Sequence, residues 1–195
     1  MKIKKAAHRS AIIILILSLS LLFGYVYQSI GHRIDIKNHP REYSDIVSKY
    51  SLEYGVPEYI IYAVILTESG FVSNKVSEDG EIGLMQLSSD SFKLLLSLTK
   101  EELDPGILYD PETNIKLGTY MLSHLYTRYN RWKTVLTIYD AGEKTVLEWL
   151  ESVDNIDQNG NLVNIPDEST KKYVEEVEKN IDMYHDLYYN DKSKK

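Results

Sequence analysis

The stretch from Pro57 to Gly70 constrains this fold more than any other part of the chain. With Pro57 as the first helical residue and Gly70 as the stop, Glu58 to Ser69 reads as a helix. Its inner face carries Ile61, Val64, Ile65 and Glu68, at relative positions 0, 3, 4 and 7 of a 3.6-residue period. The first three belong in a core, so the helix must pack against others. The fourth puts a carboxylate where a core residue is expected. Burial disfavours the charged form of such a group and raises its pKa, which leaves a carboxylic acid able to donate a proton near neutral pH. A solvated side chain or a structural ion-pair partner would satisfy the same position, and periodicity alone does not separate the three.

The rest of the chain is also patterned as helices. Tyr43, Ile46, Val47 and Tyr50 repeat at helical spacing before the break Gly55-Val56-Pro57. Ser88 to Ser97, Pro111 to Tyr129, Trp132 to Tyr139 and Glu143 to Leu150 read as further helices, broken at Asn130 and Gly142. Thr170 is expected to cap a last helix that runs through Tyr188, with Tyr173, Val174, Val177, Ile181 and Tyr184 inward. Asp79-Gly80, between Val76 and Ile82, and Asn159-Gly160, between Ile156 and Leu162, predict two small hairpins. The lysine-rich tail, Lys192 to Lys195, reads as a solvated end.

Ahead of this domain, Ala11 to Ile30 is an uncharged, mostly aliphatic stretch of 20 residues, long enough to cross a bilayer core. Lys2, Lys4, Lys5 and Arg9 precede it with no acidic residue among them, a bias that keeps the N-terminus inside and the remainder outside the cytoplasmic membrane. The expected layout is a basic cytoplasmic segment 1–10, a membrane anchor 11–30, a linker 31–41, a catalytic domain 42–190 and a tail 191–195. A cleaved secretory signal is the alternative, with Ser29-Ile30-Gly31 as a small-residue cleavage site and a secreted product. Cysteine is absent, which removes a disulfide framework and a lipidated cysteine.

Charge and histidine content narrow the function. The chain carries a net charge of −7; since its first ten residues contribute +4, the remainder carries −11. An acidic exported domain is a poor nucleic-acid binder. His8, His32, His39, His124 and His185 show no ligand-like spacing, so no metal and no cofactor are expected.

Four blocks occur in a set order. They are Glu68-Ser69-Gly70-Phe71 with Val76-Ser77, Gly80 and Gly83-Leu84-Met85-Gln86-Leu87; then Asp110-Pro111 with Asn114-Ile115 and Gly118; then Tyr139-Asp140-Ala141-Gly142; then Pro166 with Thr170 and Tyr173-Val174. Together, over about residues 43 to 188, they resemble the signature of soluble lytic transglycosylases with a goose-type-lysozyme-like catalytic domain. The resemblance implies a mostly α, lysozyme-like domain with one or two small hairpins, preceded here by a single transmembrane helix. It also implies cleavage of peptidoglycan glycan strands between N-acetylmuramic acid and N-acetylglucosamine. In that chemistry one Glu protonates the leaving oxygen, the substrate's acetamido group stabilises the intermediate, and the same Glu then deprotonates the C6 hydroxyl to leave a 1,6-anhydromuramoyl end. Glu68 would be that acid and base. Ser69 would be its hydrogen-bonding neighbour, Met85 and Gln86 would line the glycan cleft, and Gly83 would allow close backbone approach. Tyr139 would orient the carboxyl, while Asn114 resembles a capping or buried structural residue. Glycan binding would rest on aromatic faces and directed hydrogen bonds, because an acidic domain gains no general attraction to an anionic wall.

Departures from the family pattern are Asp140 for the usual Asn, Ile138 for Ala, Ser89 for Pro and Met121 for Tyr. Asp140 has two readings: a second carboxylate that turns the reaction toward hydrolysis, or a like charge that merely raises the pKa of Glu68. The competing functions are therefore a muramidase acting on the same bond and a non-catalytic glycan-binding component of a wall-crossing protein assembly.

Overall fold

A computed structural model describes the backbone of residues 2–100 and 102–190, with side chains from residue 18 onward. It resolves into two compact units, Met1–Pro40 and Arg41–Lys195.

The first unit is one helix, α1 (Lys2–Asn38). It continues through most of the stretch expected to be a linker, and His39 closes it by donating its backbone N–H to the Asp35 carbonyl at 3.0 Å. Leu21, Phe23 and Tyr27 are strongly exposed on it. The expected membrane anchor lies within α1, and its residues 11–17 fall outside those whose side chains are described. Among the described residues no helix is long and apolar enough to cross a membrane.

The second unit is built from α2 (Ser44–Tyr54), α3 (Glu58–Ser69), α4 (Ser89–Thr99), α5 (Pro111–Tyr129), α6 (Trp132–Ala141), α7 (Glu143–Leu150) and α8 (Glu168–Tyr184). A short 3₁₀ turn, Pro105–Tyr109, precedes α5, and a π turn, His185–Tyr189, follows α8. Pro57 is the N-cap of α3 rather than its first residue: its ψ of 136° is extended, and its carbonyl accepts from Ile60 and Ile61. The cap of α8 is Asp167, whose carboxylate accepts the Thr170 N–H at 2.8 Å, while Thr170 is buried in the first turn. A carboxylate three residues ahead outcompetes a hydroxyl for that role because it also complements the helix dipole. The two expected hairpins are reduced to single bridges, Val76 with Ile82 and Ile156 with Leu162; a further bridge joins Ile82 to Leu87.

The core is centred on α3. All six residues from Ile60 to Ile65 are buried, so this helix is enclosed on every side instead of presenting one apolar stripe. It packs chiefly on α8, while α5 packs on α2 and α6. Each of its buried aliphatic side chains contributes about 1.5–3 kcal/mol of transfer free energy. At the domain's edge the Arg41 guanidinium lies over the rings of Tyr62, Tyr188 and Tyr189, 5.2–5.5 Å from their centroids. It also pairs with Glu58 at 3.2 Å, and the Tyr189 hydroxyl donates to the same carboxylate. These contacts fasten the end of the domain to its beginning.

Candidate active site

Glu68 occupies the last turn of α3, where the helix leaves the core, and its side chain is largely buried. Its Oε1 accepts a hydrogen bond of 2.7 Å from the Tyr173 hydroxyl on α8. Loss of solvation pushes its pKa up from 4.5 to about 8; Glu81 and Asp140 push the same way, and only Tyr173 and Lys75 oppose them. Tyr173 pays a matching penalty, its own pKa being raised well above 10 by burial and by Glu68. The pair is a carboxylic acid held in a fixed orientation and able to keep its proton at neutral pH.

The loop after α3 is stapled to it at several points. Lys75 donates to the Glu68 backbone carbonyl. The Ser69 hydroxyl, 6% exposed, donates to the carbonyls of Ile65 and Leu84, at 3.1 and 2.8 Å. Ser69 thus ties helix to loop and faces inward, away from any open surface. The backbone of Gly83 donates to the Lys75 carbonyl at 2.9 Å.

Asn114, fully buried at the start of α5, holds the other side of this loop. Its Oδ1 accepts from Met85 N–H at 2.8 Å, and its Nδ2 donates to the carbonyls of Ile82 and Leu108, both at 2.9 Å. Gly83 is what permits this. Its φ is +87°, and a Cβ there would sit 2.2 Å from Asn114 Nδ2 and 2.5 Å from the Leu108 carbonyl oxygen. Gly83 thus makes a close approach to Asn114 and the Leu108 carbonyl.

Met85 also departs from expectation. Its side chain is buried against α5, where Gly118 leaves the space: a Cβ at Gly118 would lie 2.4 Å from the Met85 sulfur. Its contribution to the site is a backbone carbonyl, which accepts from the Tyr139 hydroxyl at 2.7 Å. Tyr139 thus pins the loop beside Glu68 and makes its hydrogen bond to Met85, leaving Tyr173 as the tyrosine bonded to the carboxyl. Gln86 adopts a left-handed φ of 45°, a conformation costing about 1 kcal/mol or more for a non-glycine residue. Its Nε2 donates to the carbonyls of Gly83 and Lys75 at 2.7 and 3.2 Å, which holds that turn, and its buried Oε1 has no partner.

A cleft of about 640 Å³ opens beside these residues, between α4 and the facing surfaces of α5 and α6. Glu81, Gln86, Tyr139 and Asp140 are among its lining residues, as are Arg128 and Glu143, which pair at 2.7 Å. Glu68 does not itself line this cleft, although the charges of Glu81 and Asp140 reach it. Asp140 is exposed at the end of α6, and its pKa is raised by partial burial against the opposing effect of the Thr170 hydroxyl. Among the described residues no three His, Asp or Glu side chains converge as metal ligands would.

Residues 45–161 match the family described as the transglycosylase SLT domain. The chain belongs to that family. Membrane-bound lytic murein transglycosylase C of Edwardsiella ictaluri is 30% identical over 158 residues, covering 75% of this chain and 42% of the relative. The crystal structure of the 70-kDa soluble lytic transglycosylase of Escherichia coli superposes with a TM-score of 0.72 at 27% identity, over 81% of this chain and 26% of that one. That of an inactive Glu-to-Gln mutant of lytic transglycosylase Slt from Pseudomonas aeruginosa gives 0.68 at 25% identity, over 76% and 24%. This SLT chain spans less than half the length of the curated relatives it matches first.

Two residues beside Glu68 were given no role in the site from sequence: Tyr173, quoted only as part of the last block and 105 residues beyond its partner, and Glu81, on a turn without periodicity. Tyr173→Phe is expected to remove the bond that favours the charged form, so that the Glu68 pKa rises further, by about one pH unit. Carbon NMR titration of the Glu68 carboxyl in wild type and variant checks this; an unchanged midpoint would show the bond to be energetically idle.

Proposed function

We propose that this domain is a peptidoglycan lytic transglycosylase that cuts the bond between N-acetylmuramic acid and N-acetylglucosamine. Glu68 is its general acid and then its general base. The observation that carries this reading is a largely buried carboxyl, oriented by Tyr173 and holding its proton up to about pH 8, near a cleft of about 640 Å³. An acid that protonates the glycosidic oxygen becomes a carboxylate in the same step, and burial then makes that carboxylate a strong enough base to take the C6 hydroxyl proton. No water is consumed, and the product carries a 1,6-anhydromuramoyl end. Further support comes from the names of the relatives, which are lytic murein transglycosylases, and from the neighbour inactivated by a Glu-to-Gln change. Gln86 is assigned to the substrate: its unpartnered Oε1 is suited to an acetamido N–H. Ser69, Gly83, Met85 and Tyr139 act through the loop they hold, and Asp140 contributes a charge at the rim.

Mass spectrometry of peptidoglycan digests by wild type and Glu68→Gln tests the reading. Anhydromuramoyl products from wild type that fall at least about 10²-fold in the variant are expected, since removal of an acid–base group costs about 10²–10⁴. Their persistence in the variant would remove Glu68 from the chemistry.

We also propose that α1 anchors the domain in the cytoplasmic membrane, with residues 42–190 outside it. The support is the uncharged run Ala11–Ile30, its basic N-terminal flank and the exposed Leu21, Leu22 and Phe23 on a continuous helix. The full chain should then require detergent for extraction while a chain starting at Arg41 is released in buffer. Extraction of both by salt alone would contradict an anchor.

A further inference from the structure

Glycoside hydrolysis requires a second carboxylate to activate water, and the sequence pattern offered Asp140 for it. The structure brings forward a different group. Glu81 lies on the tight turn between Val76 and Ile82, and its backbone is fixed from both sides: Ser77 N–H donates to the Glu81 carbonyl, and Glu81 N–H donates to the Ser77 hydroxyl oxygen, both at 3.0 Å. The turn is in turn tied to the last turn of α3, because Lys75, at its base, bonds the Glu68 carbonyl with its ammonium and Gly83 N–H with its own carbonyl. Glu81 is therefore positioned relative to Glu68 by hydrogen-bonded backbone rather than by a free loop. It is only partly exposed and lines the cleft.

Two further observations converge on the same place. Among the charges acting on Glu68, that of Glu81 is felt more strongly than that of Asp140, which is engaged by the Thr170 hydroxyl. Gln86, 5% exposed and lining the same cleft, has a buried Oε1 with no hydrogen-bond partner. The protein itself supplies that acceptor with no donor.

We propose that Glu81 is the base that activates water in a hydrolytic branch of the reaction, so that this site releases reducing N-acetylmuramic acid ends alongside anhydro ends. The proposal rests on the assignment of Glu68 as the acid. Glu68 gives its proton to the bridging oxygen as the bond from the anomeric carbon breaks. In the hydrolytic branch a water oxygen bonds to that carbon and Glu81 takes the water proton; Glu81 then releases that proton to solvent, and solvent returns one to Glu68. In the anhydro branch the C6 oxygen bonds instead, and Glu68 recovers the proton. Both branches share the bond-breaking step, so the ratio of their products depends only on how the intermediate is captured.

The test is the ratio of reducing to anhydro products from wild type, Glu81→Gln, Glu81→Asp and Asp140→Asn, with Glu68→Gln beside them. Gln keeps the shape of Glu81 on a partly exposed turn, and far-ultraviolet circular dichroism verifies the fold. The expected result is a mixture of ends from wild type, a ratio at least about 10-fold lower in Glu81→Gln, partial recovery in Glu81→Asp and a smaller change in Asp140→Asn. A wild type that yields anhydro ends alone, a ratio unmoved by Glu81→Gln, or a ratio that follows Asp140 would each overturn the role of Glu81 while leaving Glu68 as the acid. Absence of any Glu68-dependent cleavage would overturn both assignments.

Discussion

Glu68→Gln is expected to yield a protein that is inactive and, above about pH 8, more stable than wild type. The sign is set by where the proton sits. In the unfolded chain a glutamate loses its proton around pH 4.5, whereas in the folded domain Glu68 keeps it up to about pH 8. Between those values the native state binds more protons than the unfolded state, so wild-type stability falls as pH rises through the window. Below the window the two states are protonated alike and the penalty vanishes; above it the penalty is complete, about 3 to 5 kcal/mol for a separation of this size. Glutamine carries no such penalty and still offers an oxygen to Tyr173. Denaturant midpoints of the two proteins should therefore converge near pH 4 and separate progressively to pH 9, with the variant ahead. Parallel curves across that range would mean that Glu68 titrates normally and is not a buried acid.

Loss of Asn114 is expected to damage the site as severely without touching the carboxyl. Asn114→Ala strands the Met85 N–H and the Leu108 carbonyl and removes one of the two donors to the Ile82 carbonyl, which keeps the Leu87 N–H. At 1–3 kcal/mol for each unsatisfied group, and with water able to recover some of them, the cost is about 3–5 kcal/mol. Gly83→Ala should cost a similar amount, because its Cβ would meet the same Asn114 amide and because φ is positive there. The two are neighbours, so the double variant should be less destabilised than the sum: Ala at 114 vacates the space that Ala at 83 needs, although the Leu108 carbonyl remains in the way. Urea titration of the four proteins measures this coupling. Strict additivity would show that the glycine matters for its backbone angle alone.

These two sites illustrate what sequence could and could not convey. The spans of α3, α5 and α7 agree with the pattern at both ends, because Pro57, Asp110-Pro111, Asn130 and Gly142 are local stop and start signals. The inward placement of Glu68 was readable from the same periodicity. What Glu68 touches was not, since Tyr173 arrives from a helix 105 residues away and only the packing of α8 on α3 brings it there. Met85 was read as lining the glycan cleft because it stands in the motif; its side chain instead serves the buried side of the loop, and proximity in sequence gives no information about which side of a loop a side chain takes. Glu81 escaped notice because a turn has no period against which an unusual residue stands out.

The clasp of Tyr188 and Tyr189 over Arg41 brings the two ends of the folded domain to a single corner. Tension applied to the chain just ahead of Arg41 is then carried across a stacked guanidinium and the Glu58 carboxylate into the turn His185–Tyr189, sparing the α3 tip where Glu68 sits. The same geometry makes the domain a natural substrate for circular permutation: a short bridge from residue 190 back to residue 41 would close the chain, and new termini could be opened at the exposed Asn159-Gly160 turn without crossing the core.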